Sequence, residues 1–206
     1  MRTTIYVDGL NLYYRCVRKT EFKWLDLSQL FTNLLDTKYE INRINYFFAH
    51  IKPLPFDKEA RARQAAYLRA LETRENIAFH SGTFSKKRVE MHLWEDPFST
   101  VKVIRAEEKG SDVNLATNLL NDAWRNQYDA AFVVSSDPDL EEGMRLVKQE
   151  FPKKEVNLIT PGKRENASHK LKALADHHLE IRTKELKASQ FPNTIPGTNI
   201  TKAHSW

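Results

Sequence analysis

A chain of 206 residues, 41% hydrophobic and 29% charged, is long enough to bury one substantial core and has the composition of an ordinary soluble globular protein. No apolar run approaches the ~20 residues of a membrane span, and a single cysteine, Cys16, excludes an intrachain disulfide and a cysteine-rich zinc site. The formal net charge is +5, of which +4 falls between Lys153 and Lys187, where nine Lys or Arg stand against five Asp or Glu. That excess favours a polyanionic partner only slightly, because a charge run is usually a solvated face.

In chain order, Thr3–Val7 is a β-branched and aromatic run that predicts a strand, ended by Asp8-Gly9. It starts so near the N-terminus that no export signal fits before it, so a cytoplasmic protein without membrane contact is expected. Leu25–Leu35 carries apolar residues at helical spacing, Ile44–Ile51 reads as a second strand, Lys58–Thr73 as a helix and Ile77–Phe84 as a third strand. In 85–105, Val89, Met91 and Leu93 alternate with polar residues, Asp96-Pro97 breaks the run, and Val101 and Val103 resume it, which predicts a β-hairpin arm. Ser111–Arg125 is the clearest helix. A strand over Ala130–Ser135, a helix from Pro138 to about Phe151, a strand over Val156–Thr160, a short helix over Ser168–Asp176 and a last strand over His178–Arg182 follow. The expected division is one domain over 1–188 and an extended or flexible tail over 189–206, where Pro192, Pro196 and Gly197 break any periodicity.

Alternating strands and helices predict an α/β fold with a mainly parallel sheet covered on both faces. Such sheets form sites outside the carboxyl ends of strands, where strand order reverses. Asp8 and Asp137 each close an apolar strand, so both face one crevice if those strands are neighbours across the reversal. Asp112 shares the stripe of Leu115, Ala116, Leu119, Leu120 and Ala123, at offsets of three to eleven residues, although Ser111 as N-cap and Asp112 in the first turn would also satisfy a helix start. Asp137-Pro138 reads equally as an N-cap followed by proline at N1. With Asp139, Glu141 and Glu142 beside it, however, the acids exceed what capping needs, and such a crowd repels itself unless a cation sits among it. Asp8-Gly9-Leu10-Asn11 is open to a plain turn reading; Asn11 adds a polar group able to bond a phosphate oxygen or the Asp8 carboxylate, while Tyr13 and Tyr14 fit packing better than base stacking. The seven histidines do not converge, and dinucleotide, P-loop and Gly-x-Ser-x-Gly signatures are absent.

Three segments, Tyr6-Val7-Asp8-Gly9-Leu10-Asn11-Leu12, Lys109-Gly110-Ser111-Asp112-Val113 and Val134-Ser135-Ser136-Asp137-Pro138-Asp139-Leu140, together resemble the NYN family of PIN-like ribonucleases in order and spacing, over about residues 1–182. Ser168, Leu171, Ala175 and Asp176 look like its closing helix, and Pro138 departs from the small or polar residue that relatives often carry there. The resemblance implies a PIN-like three-layer α/β/α fold and RNA hydrolysis with Mg²⁺ or Mn²⁺. By motif position, Asp8, Asp112, Asp137 and Asp139 would be the catalytic and metal-site acids, with Asn11 their polar partner. Lys109, Lys163 and Arg164 are candidate contacts to the RNA backbone, and Lys170 and Lys172 further ones.

Two rival readings stand beside this one. One is a non-catalytic RNA-binding or scaffold protein that retains the acidic pocket; the other is an enzyme that acts on a small molecule in it. A homodimer and an inhibitory protein partner are compatible with the chain, and neither is specified by it.

Overall fold

The computed structural model describes residues 1–53, 57–163, 165 and 167–204. Its elements are β1 (Arg2–Asp8), α1 (Gly9–Leu12, running on as a π-helical turn Tyr13–Val17), α2 (Leu27–Leu34), β2 (Glu40–Ala49), α3 (Ala60–Glu72), β3 (Ile77–His92) and β4 (Thr100–Lys109). Then follow α4 (Ser111–Trp124), β5 (Ala130–Val134), a 3₁₀ turn (Pro138–Leu140) leading into α5 (Glu141–Glu150), β6 (Glu155–Pro161), α6 (His169–Leu174), β7 (His178–Ile181) and α7 (Thr183–Ala188).

The seven strands form one sheet in the order β4-β3-β2-β1-β5-β6-β7, parallel throughout except for the antiparallel β3–β4 pair. β1 and β5 are buried on both faces, which is why they read as continuous apolar runs rather than alternating ones. Successive side chains serve two separate cores. Ile5, Val7, Phe132 and Ile159 face α2, α3, α7 and the tail, whereas Tyr6, Val133, Val156 and Leu158 face α4, α5 and α6. The molecule is thus three layers, helix–sheet–helix. None of the described helices is long and apolar enough to cross a membrane.

The chain leaves β1 toward β2 and β3 on one side and returns through β5, β6 and β7 on the other. Strand order therefore reverses between β1 and β5, which pair directly from Thr3↔Ala130 to Val7↔Val134. This adjacency was the condition on which a shared crevice for Asp8 and Asp137 depended.

Three regions differ in detail from the sequence expectations. The third strand and the arm are one continuous β3, paired with β4 from Thr83↔Lys109 to His92↔Thr100, so the arm is longer than 85–105. α7 is an addition: six residues are too few to show a helical period, and the Glu185 carboxylate holds its start by accepting the Arg182 backbone N–H at 3.1 Å. The tail is extended but anchored. The Phe191 N–H donates to the Trp24 carbonyl at 2.9 Å, the Trp24 indole donates to the Pro192 carbonyl at 2.9 Å, and Phe191 and Ile195 are buried in the core.

Candidate active site at the carboxyl ends of β1 and β5

β1 ends on Asp8, and the chain turns at once into α1. Asp8 caps that helix: its Oδ1 accepts the Asn11 N–H at 2.9 Å, and its Oδ2 accepts the Ser135 hydroxyl at 2.9 Å. The Ser135 oxygen accepts the Asp137 N–H at 3.1 Å, while Asn11 Oδ1 accepts both the Ser136 N–H (3.1 Å) and the Ser136 hydroxyl (2.9 Å). Two strand ends 127 residues apart are thus laced by side chains, and the remaining end of Asn11 is its NH₂ donor. Gly9 makes the turn feasible, since a Cβ there would lie 2.7 Å from the Phe47 carbonyl oxygen and 2.8 Å from the Tyr46 ring.

α4 brings the third acid. Its expected N-cap, Ser111, is instead the first helical residue and is buried. Gly110 holds the cap position at φ 96°, and the Glu108 carboxylate at the end of β4 accepts the Ser111 N–H at 3.0 Å and the Ser111 hydroxyl at 2.6 Å. The capping charge thus comes from an adjacent strand, because Gly110 offers no side chain. Gly82 on β3 leaves room for it: a Cβ there would stand 2.5 Å from Glu108 Oε1 and 2.9 Å from the Ser111 hydroxyl. The first turn of α4 then points Asp112 toward the β1 end.

A cavity of about 220 Å³ opens at this switch point, lined by Asp8, Glu108, Asp112 and Asp137 together with Leu10, Asn11, Tyr14 and Arg15. Burial is the main force raising the Asp8 carboxyl above its ordinary range, opposed by its Asn11 and Ser135 bonds and reinforced by Asp137 and Glu108. The Asp112 carboxyl is pushed up to about 7, first by burial and then by repulsion from Asp8, Asp137, Glu108 and Asp139. Among the described residues, no three His, Cys, Asp or Glu side chains already close on one point as a metal cage. The donor set still suits a hard cation, because Mg²⁺ keeps several waters and is usually held by one or two carboxylates.

Of the residues singled out from the sequence, Asp8, Asn11, Asp112 and Asp137 meet at the cavity. Asp139 is exposed on the 3₁₀ turn and does not line it, although its charge reaches Asp112. Lys109 is exposed and lies 3.8 Å from Glu107, and Lys163 is exposed beside Glu165 at 3.6 Å, so neither lines the cavity. Lys170 pairs with Glu141 at 2.8 Å. Arg164 lies outside the described residues. Glu108, Ser135 and Arg15 were not singled out. Arg15 stands four residues after Asn11 and Tyr14 three, so one helical face presents all three, a periodicity visible only once Gly9–Val17 is known to be helical. Glu108 carried no signal, because strand and cap residues look alike until the turn between them is known.

A family model described as the NYN domain matches residues 2–182. The chain is also 30% identical, over 241 aligned residues, to 6-hydroxy-3-succinoylpyridine 3-monooxygenase HspA of Pseudomonas putida, with all of this chain and 75% of that protein covered. A solved structure of a Vibrio parahaemolyticus protein of unknown function aligns with a TM-score of 0.56 at 17% identity, over 88% of this chain and 93% of that one, and shares the fold.

Proposed function

This chain belongs to the NYN domain family, whose fold is nuclease-like, and on that premise we propose that its acidic cavity hydrolyses RNA phosphodiester bonds with the help of Mg²⁺ or Mn²⁺. The observation that carries this reading is the meeting of four carboxylates, from β1, β4, α4 and the β5 end, around one cavity at the sheet's switch point. A binding module would have no use for such mutual repulsion, whereas a metal-assisted hydrolase needs oxygen donors in surplus.

Asp8, Asp112 and Asp137 would hold the cation. When bound, the ion lowers the pKa of a water and offsets charge on the phosphoryl oxygens. The chain's own groups do the rest. Ser135 and the Asn11 N–H fix the Asp8 carboxylate in one orientation, and Ser136 turns the Asn11 NH₂ toward the cavity as a donor for a phosphate oxygen. Arg15 supplies a positive charge in the cavity lining to meet the phosphodiester, and the exposed Tyr14 beside it offers a face for a base or ribose. Asp139, outside the cavity lining on the 3₁₀ turn, adds negative potential that favours cation entry.

Labelled oligoribonucleotides incubated with Mn²⁺ or Mg²⁺ should be cleaved by the purified chain, and chelator should stop the reaction. Asp137→Asn should abolish cleavage while leaving oligonucleotide binding in place; metal-dependent cleavage by a contaminant-free preparation of that variant would falsify the assignment.

The 30% identity to the monooxygenase, over the whole of this chain, favours a second reading: oxidation of a hydroxylated pyridine in the same cavity. Reductant-dependent oxygen uptake in the presence of a hydroxypyridine, without oligonucleotide cleavage, would select it.

A further inference from the structure

β2 pairs with β3 only as far as Gly82, and β4 is the edge of the sheet. From Thr83–Lys109 outward, each strand of the hairpin therefore has only the other as a neighbour. A two-stranded ribbon is marginal in water unless something covers a hydrophobic face. Cross-strand pairs Val89–Val103 and Met91–Val101 lie on one face, with Lys87–Arg105 on the same face nearer the stem. On this face Met91 and Val101 are exposed and Val89 and Val103 half-buried. At the tip, Trp94 is 93% exposed and Phe98 98% exposed.

The uncovered area is that of an interface. Trp94 and Phe98 offer roughly 150–250 Å² each. With the exposed parts of Met91 and Val101, the apolar total reaches the upper end of the ~300–600 Å² patch of a typical monomer, and the charged residues around it bring the arm toward the ~800 Å² per partner of a stable protein contact. The charge pattern says which partner fits. The stem is cationic on balance, with Lys86, Lys87, Arg88, Arg105 and Lys109 against Glu107 and Glu108, although Arg105 pairs with Glu107, and the tip is anionic, with Glu95 and Asp96. Two such arms laid antiparallel bring each acidic tip to the other's basic stem and close apolar face on apolar face, which is the self-complementarity that a twofold contact requires. Nucleic acid fits less well: between Thr83 and Lys109, six Lys or Arg stand against five Asp or Glu, and the two exposed aromatics, Trp94 and Phe98, flank the acidic Glu95-Asp96, which repels a phosphate backbone.

We propose that the 83–109 hairpin is a dimerisation arm that clasps the same arm of a second copy of this chain, antiparallel about a twofold axis. The proposal is independent of the nuclease reading, because it rests on the outer face and tip of the hairpin, away from the base where Glu108 lines the cavity.

Light scattering after size exclusion, at micromolar concentrations of the full chain, should give twice the 24.0 kDa protomer mass. Trp94→Ser with Phe98→Ser should give the protomer mass and leave the circular-dichroism spectrum of the sheet unchanged. Lys87→Glu with Arg105→Glu makes stem and tip both anionic, and Glu95→Lys leaves the basic stem as it is but takes the tip from −2 to neutral while sparing Asp96, whose carboxylate holds the loop through Phe98 and Ser99. Each variant alone should dimerise at least tenfold more weakly, and a mixture of the two should recover the dimer. A wild-type chain that stays monomeric, a dimer indifferent to loss of both aromatics, or charge variants that fail to pair would overturn the proposal. Monomeric protein whose oligonucleotide affinity falls with the aromatics would instead assign the arm to nucleic acid.

Discussion

At Asp112, burial and four neighbouring acids act in the same direction, and the carboxyl rises from an ordinary 3.8 to about 7. A carboxyl raised in the folded state makes folding proton-linked: the native protein holds the proton more tightly, so the penalty is absent below the unfolded pKa and complete above the folded one. Stability of the metal-free protein should therefore fall as pH rises from about 4 to about 7. Asp112→Asn removes the charge and nearly keeps the shape, and should raise the melting temperature at pH 8 by a few degrees, on the order of 1–2 kcal/mol after solvent screening, with no gain at pH 4. Thermal melts of both proteins in chelator at the two pH values test this; an equal gain at both would mean that repulsion is not the cause. Gly82 acts on the same acid indirectly. Gly82→Ala would press a methyl group against Glu108 and Ser111, should cost roughly 1–3 kcal/mol as overpacking, and should lower turnover more than oligonucleotide affinity, measured by melts and single-turnover kinetics.

At the scale of elements, β1, α4 and β5 were legible because their signals are redundant: β1 and β5 are unbroken apolar runs closed by an acid, and α4 repeats its stripe over eleven residues. Asp8, Asp112 and Asp137 could be read for the same reason, each being fixed to the end of a strong element. Glu108 was not legible, since its role depends on how β4 is placed beside α4, a long-range pairing that no local window contains. The tail was illegible for a related reason. Its Pro- and Gly-broken sequence carries no period, and long-range contacts order it: the Asp26 N–H donates to the Ser189 carbonyl, Leu25 bridges Gln190, and Phe191 stacks edge-on to Trp24 at 5.8 Å between ring centres and lies under the Arg74 guanidinium at 5.1 Å. Phe191→Ala should therefore cost about 3 kcal/mol in urea denaturation, as a core substitution does. A loss near zero would mean that the tail adds nothing to the fold.

Over the whole molecule, a net charge of +5 coexists with a cavity where like charges crowd, so the general field attracts polyanions while the site itself repels them. A divalent cation reconciles the two, and the linkage has a sign. Below about pH 6, Asp112 keeps its proton and the ion must displace it; above about pH 7, the ion meets a carboxylate already ionised and destabilised. Mg²⁺ or Mn²⁺ should then raise the melting temperature more at pH 8 than at pH 5, the stabilisation growing with metal concentration and reaching ~2.7 kcal/mol at about a hundredfold its dissociation constant. Asp137→Asn should shrink the shift, and Asp139→Asn should shrink it less, because Asp139 acts only through its field. Differential scanning fluorimetry with either ion against chelator reads all of these outcomes. Identical melting with and without metal at pH 8 would leave four acids gathered at the switch point with no counter-ion to explain them, and the hydrolytic reading would fail with it.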